Sequence, residues 1–257
     1  MQPIAQAHCR HRRLPAVVVG RGKRGQKVLA ALSMSESPVQ ALWTVDPGWA
    51  CDTYFQIRPS RFIVRNASSI EEAFSNSRFR VGFVCTPHDT HGDVVRELLS
   101  RGLSVCVDKP VTTTFSDAEV LANAACERHI PILTLLPYQY IDALRPLRAL
   151  TRRTPECRIE ITAVVAPYPG VNGWRLEEKR SGGGVLFDLG YHFVDLLSDI
   201  MGQPDSIEGV LGFLKGMEVE NSAVVALQFE TVRANLVLLC SSECAPSVEV
   251  RIHRAGV

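Results

Sequence analysis

PAVVVGRGKRGQKVLAALSM, residues Pro15–Met34, opens with a short β-branched apolar run bounded by proline and glycine. Such a run reads as a strand buried on both faces of a parallel sheet. It leads straight into Gly20-Arg21-Gly22-Lys23-Arg24-Gly25 and then into a helix-like segment. GxGxxG alone is a weak signal. Between a strand and a helix it is much stronger, because the glycines let the backbone approach a pyrophosphate at a helix N-terminus. The stretch therefore predicts a dinucleotide-binding βαβ unit, with Gly20, Arg21, Gly22, Lys23, Arg24 and Gly25 as its phosphate loop.

Working outward, Ala41–Asp46 (ALWTVD) reads as a second strand ending in an acid. Asp46 there can accept from a ribose 2′-hydroxyl, which favours NAD over NADP. Its other reading is a cap on the Pro47-Gly48 turn, and the cations Arg21 and Lys23 keep NADP as the lesser alternative. Next come a short strand at Phe62–Val64, a helix capped by Ser68 with Glu71, and a strand at Val81–Cys85. The loop TPHDTH, Thr86–His91, opens another helix. A strand runs Ser104–Pro110, Ser116 and Glu119 form a capping box for the next helix, and Pro131–Leu136 is a sixth strand. Strands alternating with helices predict an α/β fold with a doubly wound parallel sheet. Ligands bind off the carboxyl ends of such strands, where Gly20–Gly25, Asp46, Thr86–His91 and Asp108–Pro110 all fall.

Composition narrows the function. At 257 residues, with 46% hydrophobic and 21% charged, the chain has room for a sizeable core and the make-up of a soluble globular enzyme. A net charge of +1 argues against a nucleic-acid or anionic-membrane partner. The basic run HCRHRRL, His8–Leu14, reads as a solvated tail within residues 1–14. It lacks the apolar stretch of a signal peptide, and no apolar run is long enough to span a bilayer. The eight cysteines include no CxxC, and their closest pair is Cys240 and Cys244. That spacing argues against a zinc site or a disulfide framework and predicts a reducing, cytoplasmic location.

From about Leu144 the rhythm changes. Arg158–Val165 reads as a strand and a Pro/Gly-rich loop follows. After Gly202 come strand-like runs near 206–214, 223–230, 234–240 and 248–253 with no helix between them. This predicts a second, α+β domain on a mainly antiparallel sheet, with boundaries at 15–137 and 138–257. Val225, Leu227 and Phe229 alternate with Ala226, Gln228 and Glu230, so one sheet face should be covered and the other freer. Between these strands lies Ser181–Gly202, SGGGVLFDLGYHFVDLLSDIMG. After three glycines it reads as one helix to Met201, apolar nearly all round and hence buried. Its polar line is Asp188, His192, Asp195 and Asp199, which an α-helix places above one another. An Asp one turn before a His is a ready acid–base pair; the alternative is a solvated face or a structural Asp–His hydrogen bond.

Five motifs, taken in order, resemble the glucose–fructose oxidoreductase/inositol dehydrogenase family, often written Gfo/Idh/MocA. They are Gly20–Gly25, Asp46, the TPxxxH loop (Thr86, Pro87, His91), Asp108-Lys109-Pro110 where the family has EKP, and GGGxLxDxGxHxxD at Gly182–Asp195. Trp174-Arg175 precedes the last block, as in many members. The likeness covers most of residues 15–254.

The resemblance implies a nicotinamide-dependent oxidoreductase acting on a sugar, a cyclitol or a related hydroxy or carbonyl compound. NAD would be its cofactor, with NADP as the alternative. Lys109 and His192 would be the catalytic pair, with Asp188 beside them. Thr86, Pro87, His91 and Asp108 would join the cofactor site, and Trp174, Arg175 and Gln139 the substrate site. The chemistry agrees: His titrates in the range needed to move a hydroxyl proton, and a lysine cation stabilises a developing alkoxide. His91 has a second reading, as a brace for the helix it begins. Asp108 is shorter than the family's Glu, and Gln139 stands where the family often carries Arg. The chain also ends sooner than most members, which predicts a smaller second sheet. A homo-oligomer through that sheet is expected. A non-catalytic dinucleotide sensor on the same fold is the competing reading, and retention of Lys109, Asp188 and His192 speaks against it. Asp188, His192 and Asp195 as metal ligands would lack a second cluster at ligand spacing, so no metal is expected.

Overall fold

The computed structural model describes residues 13–34, 37–46, 64–144, 147, 157–167 and 173–254. The tail up to residue 12, the Pro47-Gly48 turn, Phe62 and Ile63 of the expected third strand, and part of the loop after Val165 lie outside the described residues. The described chain divides into two compact units. One runs to Asp108 and resumes over Ser116–Leu133; the other takes Lys109–Phe115 and the chain from Thr134 onward.

In the first unit, β1 (Leu14–Val19) carries the apolar run, and Ala16–Val19 are fully buried. Its neighbours are β2 (Val39–Val45) and β4 (Val81–Val84), both parallel to it. With β3 (Arg65–Ala67), β5 (Ser104–Asp108) and β6 (Ile132–Leu135) they form one sheet in the order β3-β2-β1-β4-β5-β6. The order reverses between β1 and β4, which makes their carboxyl ends the switch point where such sheets bind ligands. Helices α1 (Lys23–Leu32), α2 (Ile70–Asn76), α3 (His88–Ser100) and α4 (Phe115–Arg128) are the crossovers. Leu29 and Leu32 of α1 pack on Ala16, Val18 and Phe83, while Val94, Val95, Leu98 and Leu99 bury the inner stripe of α3.

Several boundaries differ from the sequence expectation. The cap of α2 sits one residue later: Ser69 Oγ accepts from the Glu72 N–H, and the Glu72 carboxylate accepts from the Ser68 N–H and hydroxyl. Ser68 and Glu71 offered the same spacing, but Ile70 must turn inward and so sets the start of the helix. Helix α4 begins at Phe115, which puts Ser116 inside its first turn rather than at the cap.

The second unit is built on a five-stranded sheet in the order β11-β7-β10-β9-β8. These are β7 (Cys157–Val165), β8 (Ser206–Gly212), β9 (Ser222–Phe229), β10 (Val232–Cys240) and β11 (Ser247–Arg254). Neighbours run antiparallel except β7 and β10, which are parallel. The predicted alternation in β9 holds: Ala223, Val225, Leu227 and Phe229 are buried, while Val224 is exposed. One sheet face, with Ile159, Ile161, Leu236 and Leu238, is covered by Phe193, Leu196 and Leu197 of α6 (Tyr191–Met201).

Helix α5 (Glu178–Ser181), one turn, precedes the glycines. After them the expected helix runs to Met201, but its first turn, Leu186–Gly190, is a π-turn leading into α6. The Tyr191 N–H reaches back to the Leu186 carbonyl, five residues away, so one extra residue is wound into this turn. The four-residue spacing of Asp188 and His192 therefore no longer measures one α-helical turn.

Candidate active site

In the first unit the glycines of the β1–α1 loop separate into two kinds. A Cβ on Gly25 would lie 1.9 Å from the Gly20 carbonyl oxygen, and one on Gly20 would lie 2.5 Å from the Cys85 carbonyl oxygen. Those two are required for loop, helix and β4 to close on one another. A Cβ on Gly22 would meet nothing within 4 Å. Gly22 caps the N-terminus of α1, so its bare backbone faces open space where unpaired helix N–H groups attract an anion.

Around this loop, Asp46 follows β2 and its N–H donates to the Ala67 carbonyl. Arg24, in the first turn of α1, donates from Nε to Asp108 Oδ2 at 2.8 Å and so ties the helix start to the end of β5. Thr86 is buried and accepts at Oγ1 from Thr90, which also donates to the Pro87 carbonyl. His91 is fully buried, with Nε2 2.8 Å from the Thr86 carbonyl oxygen. That contact makes His91 a brace for the loop. Arg21 accepts through its carbonyl from Gln26, and Lys23 is exposed. Burial and the nearby Asp108 carboxylate push the Cys85 thiol well above the usual cysteine range, so it stays protonated.

The second unit holds the acid–base candidates. Lys109 is 5% exposed, and its ammonium donates to the carboxylate and the backbone carbonyl of Asp188. The π-turn presents both acceptors. The glycine turn ahead of it is pinned by Glu220, a buried residue that sequence reading missed. Its carboxylate accepts from the N–H groups of Gly184 (2.7 Å) and Leu186 (2.9 Å), and its carbonyl from Val185. A Cβ on Gly184 would lie 1.9 Å from that carbonyl oxygen, which explains why glycine stands there.

His192, also buried, opens α6. The ring of Tyr138 lies flat against its imidazole, with centroids 4.5 Å apart and planes 10° apart. Tyr138 meets Phe193 edge-on, and burial, followed by the Asp188 charge, pushes its phenol above the ordinary tyrosine value. It sits on a 3₁₀ turn, Pro137–Tyr140, beside Gln139, which donates to Asp195 at 2.7 Å. Gln139, expected near substrate, is thereby engaged with α6. Trp174 and Arg175 share another 3₁₀ turn, the Arg175 guanidinium lying 4.2 Å over the indole. The structure thus brings Lys109, Asp188, His192 and Gln139 into one unit, and the dinucleotide candidates Gly20–Gly25, Asp46, Thr86, Pro87, His91 and Asp108 into the other. Among the described residues no group of three or more His, Cys, Asp or Glu could hold a metal ion, and no helix is long and apolar enough to cross a membrane.

Comparison with known proteins supplies an independent view. A family model described as an oxidoreductase family with an NAD-binding Rossmann fold matches residues 14–134, and one described as the GFO/IDH/MocA C-terminal domain matches residues 158–255. A protein of Amycolatopsis mediterranei (strain S699), provisionally assigned as the oxidoreductase subunit of a UDP-kanosamine synthase, is 28% identical over 204 residues, covering 77% of this chain and 54% of its own length. The 1,5-anhydro-D-fructose reductase of Ensifer adhaerens is 25% identical over 176 residues, covering 66% of this chain and 53% of its own length. The chain therefore spans about half the length of the curated relatives it matches. Among solved structures, that of GenD2 from gentamicin A biosynthesis, in complex with NAD, superposes with a TM-score of 0.81 at 23% identity over 95% of this chain and 70% of that one.

Proposed function

The chain belongs to the GFO/IDH/MocA family of NAD-binding oxidoreductases, and on that premise we propose that it moves hydride between NAD and a sugar, a cyclitol or a related hydroxy or carbonyl compound. A relative named as a 1,5-anhydro-D-fructose reductase supports that substrate class. The residues fit the cofactor: Gly22 leaves open space at the N-terminus of α1, and Asp46 follows β2, where a ribose diol can be bound. When bound, NAD supplies the acceptor for the hydride that leaves the substrate carbon, and NADH its donor.

The protein's own residues handle the proton and the charge. In the oxidation direction the substrate hydroxyl proton passes to a ring nitrogen of His192 as the carbonyl forms. Lys109, held by Asp188, offers a cation to the alkoxide that develops on the substrate oxygen. In reduction His192 returns the proton and Lys109 polarises the carbonyl. One observation carries this reading: a buried lysine follows directly after the end of β5 and is ion-paired in the unit that also buries His192. A lysine is almost never buried without such a partner.

The test is a screen of polyols, sugars and their keto forms for a change in NADH absorbance. On any substrate found, Lys109→Ala and His192→Ala should each lower turnover by about two to four orders of magnitude. Near-wild-type turnover in both would refute the roles given to Lys109 and His192, and a screen with no turnover at all would favour a dinucleotide sensor. The reading extends to a homo-oligomer. Val210, Val224 and Val237 form an exposed row across β8, β9 and β10, and Val224→Glu should lower the sedimentation coefficient.

A further inference from the structure

We infer that Tyr138 is a positioning residue that fixes the plane of the His192 imidazole. The inference rests on the acid–base role proposed for His192. The sequence pattern offered Asp188 for that task, and in the structure the Asp188 carboxylate accepts from the Lys109 ammonium. The ring of Tyr138 covers one imidazole face at 4.5 Å and 10°, and it meets Phe193 in a T-shaped contact at 5.3 Å and 77°. Phe193 is fully buried against the sheet, so the tyrosine ring is wedged between a core side chain and the histidine.

The turn that carries Tyr138 has a second anchor on the same helix. Gln139 donates to Asp195, one helical turn beyond His192 on α6. Two adjacent residues of Pro137–Tyr140 therefore grip α6 at three places, His192, Phe193 and Asp195. Rotation of the imidazole about its Cβ–Cγ bond would have to displace the tyrosine ring or break the flat contact. A histidine so held presents only its edge to a substrate hydroxyl. A pre-set edge is what proton transfer needs, since about 1 Å of misplacement can cost on the order of a hundredfold in rate. The phenol is not required for this, because the stack uses the ring face alone. The high proton affinity that burial and Asp188 give the phenol keeps Tyr138 neutral and the stack intact in ordinary buffers.

The experiment compares Tyr138→Phe with Tyr138→Leu, with Tyr138→Gln as a second ring-free variant in case the leucine protein does not fold. Two readouts are taken on the full chain. The first is the His192 imidazole C–H resonance, identified by its loss in His192→Gln; a flat aromatic neighbour shifts it upfield. That shift should persist in Tyr138→Phe and vanish in the ring-free variants. The second is steady-state kinetics on a substrate from the screen. Tyr138→Phe should keep kcat within about threefold, whereas the ring-free variants should lose about 10- to 100-fold in kcat with NADH affinity unchanged. A His192 resonance that does not move in the ring-free variants overturns the inference. So does full kcat in those variants, or a loss in Tyr138→Phe as large as theirs, which would assign the work to the hydroxyl. If no substrate turns over at all, the oxidoreductase reading fails, while the resonance still decides whether Tyr138 holds the ring.

Discussion

Replacing Lys109 by Met removes the cation from an ion pair whose side chains are 6% (Lys109) and 20% (Asp188) exposed. The methionine fills much of the same volume, so the main change is a carboxylate left with its partner gone. Removing one member of a buried pair costs about 3–5 kcal/mol, because the remaining charge stays desolvated. Water reaches the Asp188 side chain in part, which places the cost at the lower end, about 3 kcal/mol. For a chain of this size that corresponds to a fall in Tm of about 6–12 °C. In Lys109→Met/Asp188→Asn no bare carboxylate remains, and at least half of that loss should return. Turnover should not return with it, since neither protein has the cation proposed to stabilise an alkoxide. Thermal melts of wild type, both single variants and the double variant, run beside NADH-linked rates, separate the two effects. A Lys109→Met protein that melts within about 1 °C of wild type would show a solvated, energetically idle pair, and the reasoning would fall.

Gly22→Val should leave the melting temperature close to wild type, because a Cβ there meets nothing, yet abolish the fluorescence enhancement of bound NADH; retained NADH affinity would refute the phosphate-loop reading. Asp46→Ala should weaken NAD and narrow its advantage over NADP in paired titrations, whereas a wild-type preference for NADP would transfer the role to Arg21 or Lys23. Glu220→Gln exchanges a carboxylate that accepts from two backbone N–H groups for an amide with one acceptor oxygen. It should destabilise by about 2 kcal/mol in urea unfolding and lower kcat through the displaced π-turn; unchanged stability would mean that the glycine turn holds itself.

Much of this fold is legible because its signals are local. The β-branched run of β1, the glycines after it and the period of two in β9 each follow from residues adjacent in the chain, and the structure has all three. What the pattern misjudges depends on partners far away in sequence. The glycine turn ahead of the π-turn at Leu186–Gly190 hydrogen-bonds to Glu220, and no spacing within the motif signals an acid more than thirty residues later. The spacing of Asp188 and His192 drew them together as a pair, but it gave no sign that Asp188 meets Lys109 or that Tyr138 covers the face of His192. Tyr138 carried no motif; its neighbour Gln139 drew attention only as a departure from the family pattern. The shift from Ser68 to Ser69 at the α2 cap is a smaller case, decided by which apolar residue had to turn inward.

The parallel pairing of β7 with β10 governs the order in which the second unit can assemble. Strand β7 leaves the ribosome long before its two neighbours, since Arg158 lies beside Arg233 on one side and His253 on the other. Helix α6, bearing His192, is synthesised between them, and until β10 arrives β7 and the β8–β9 pair have no strand joining them into one surface for it. Loops of this length close slowly, and the apolar stripe of α6 stays uncovered meanwhile. A nascent chain stalled before Val232 therefore exposes Phe193, Leu196 and Leu197 together, a surface for chaperones to bind or for aggregation to begin. His192 gains its final surroundings in a single late step, when β10 slots between β7 and β9.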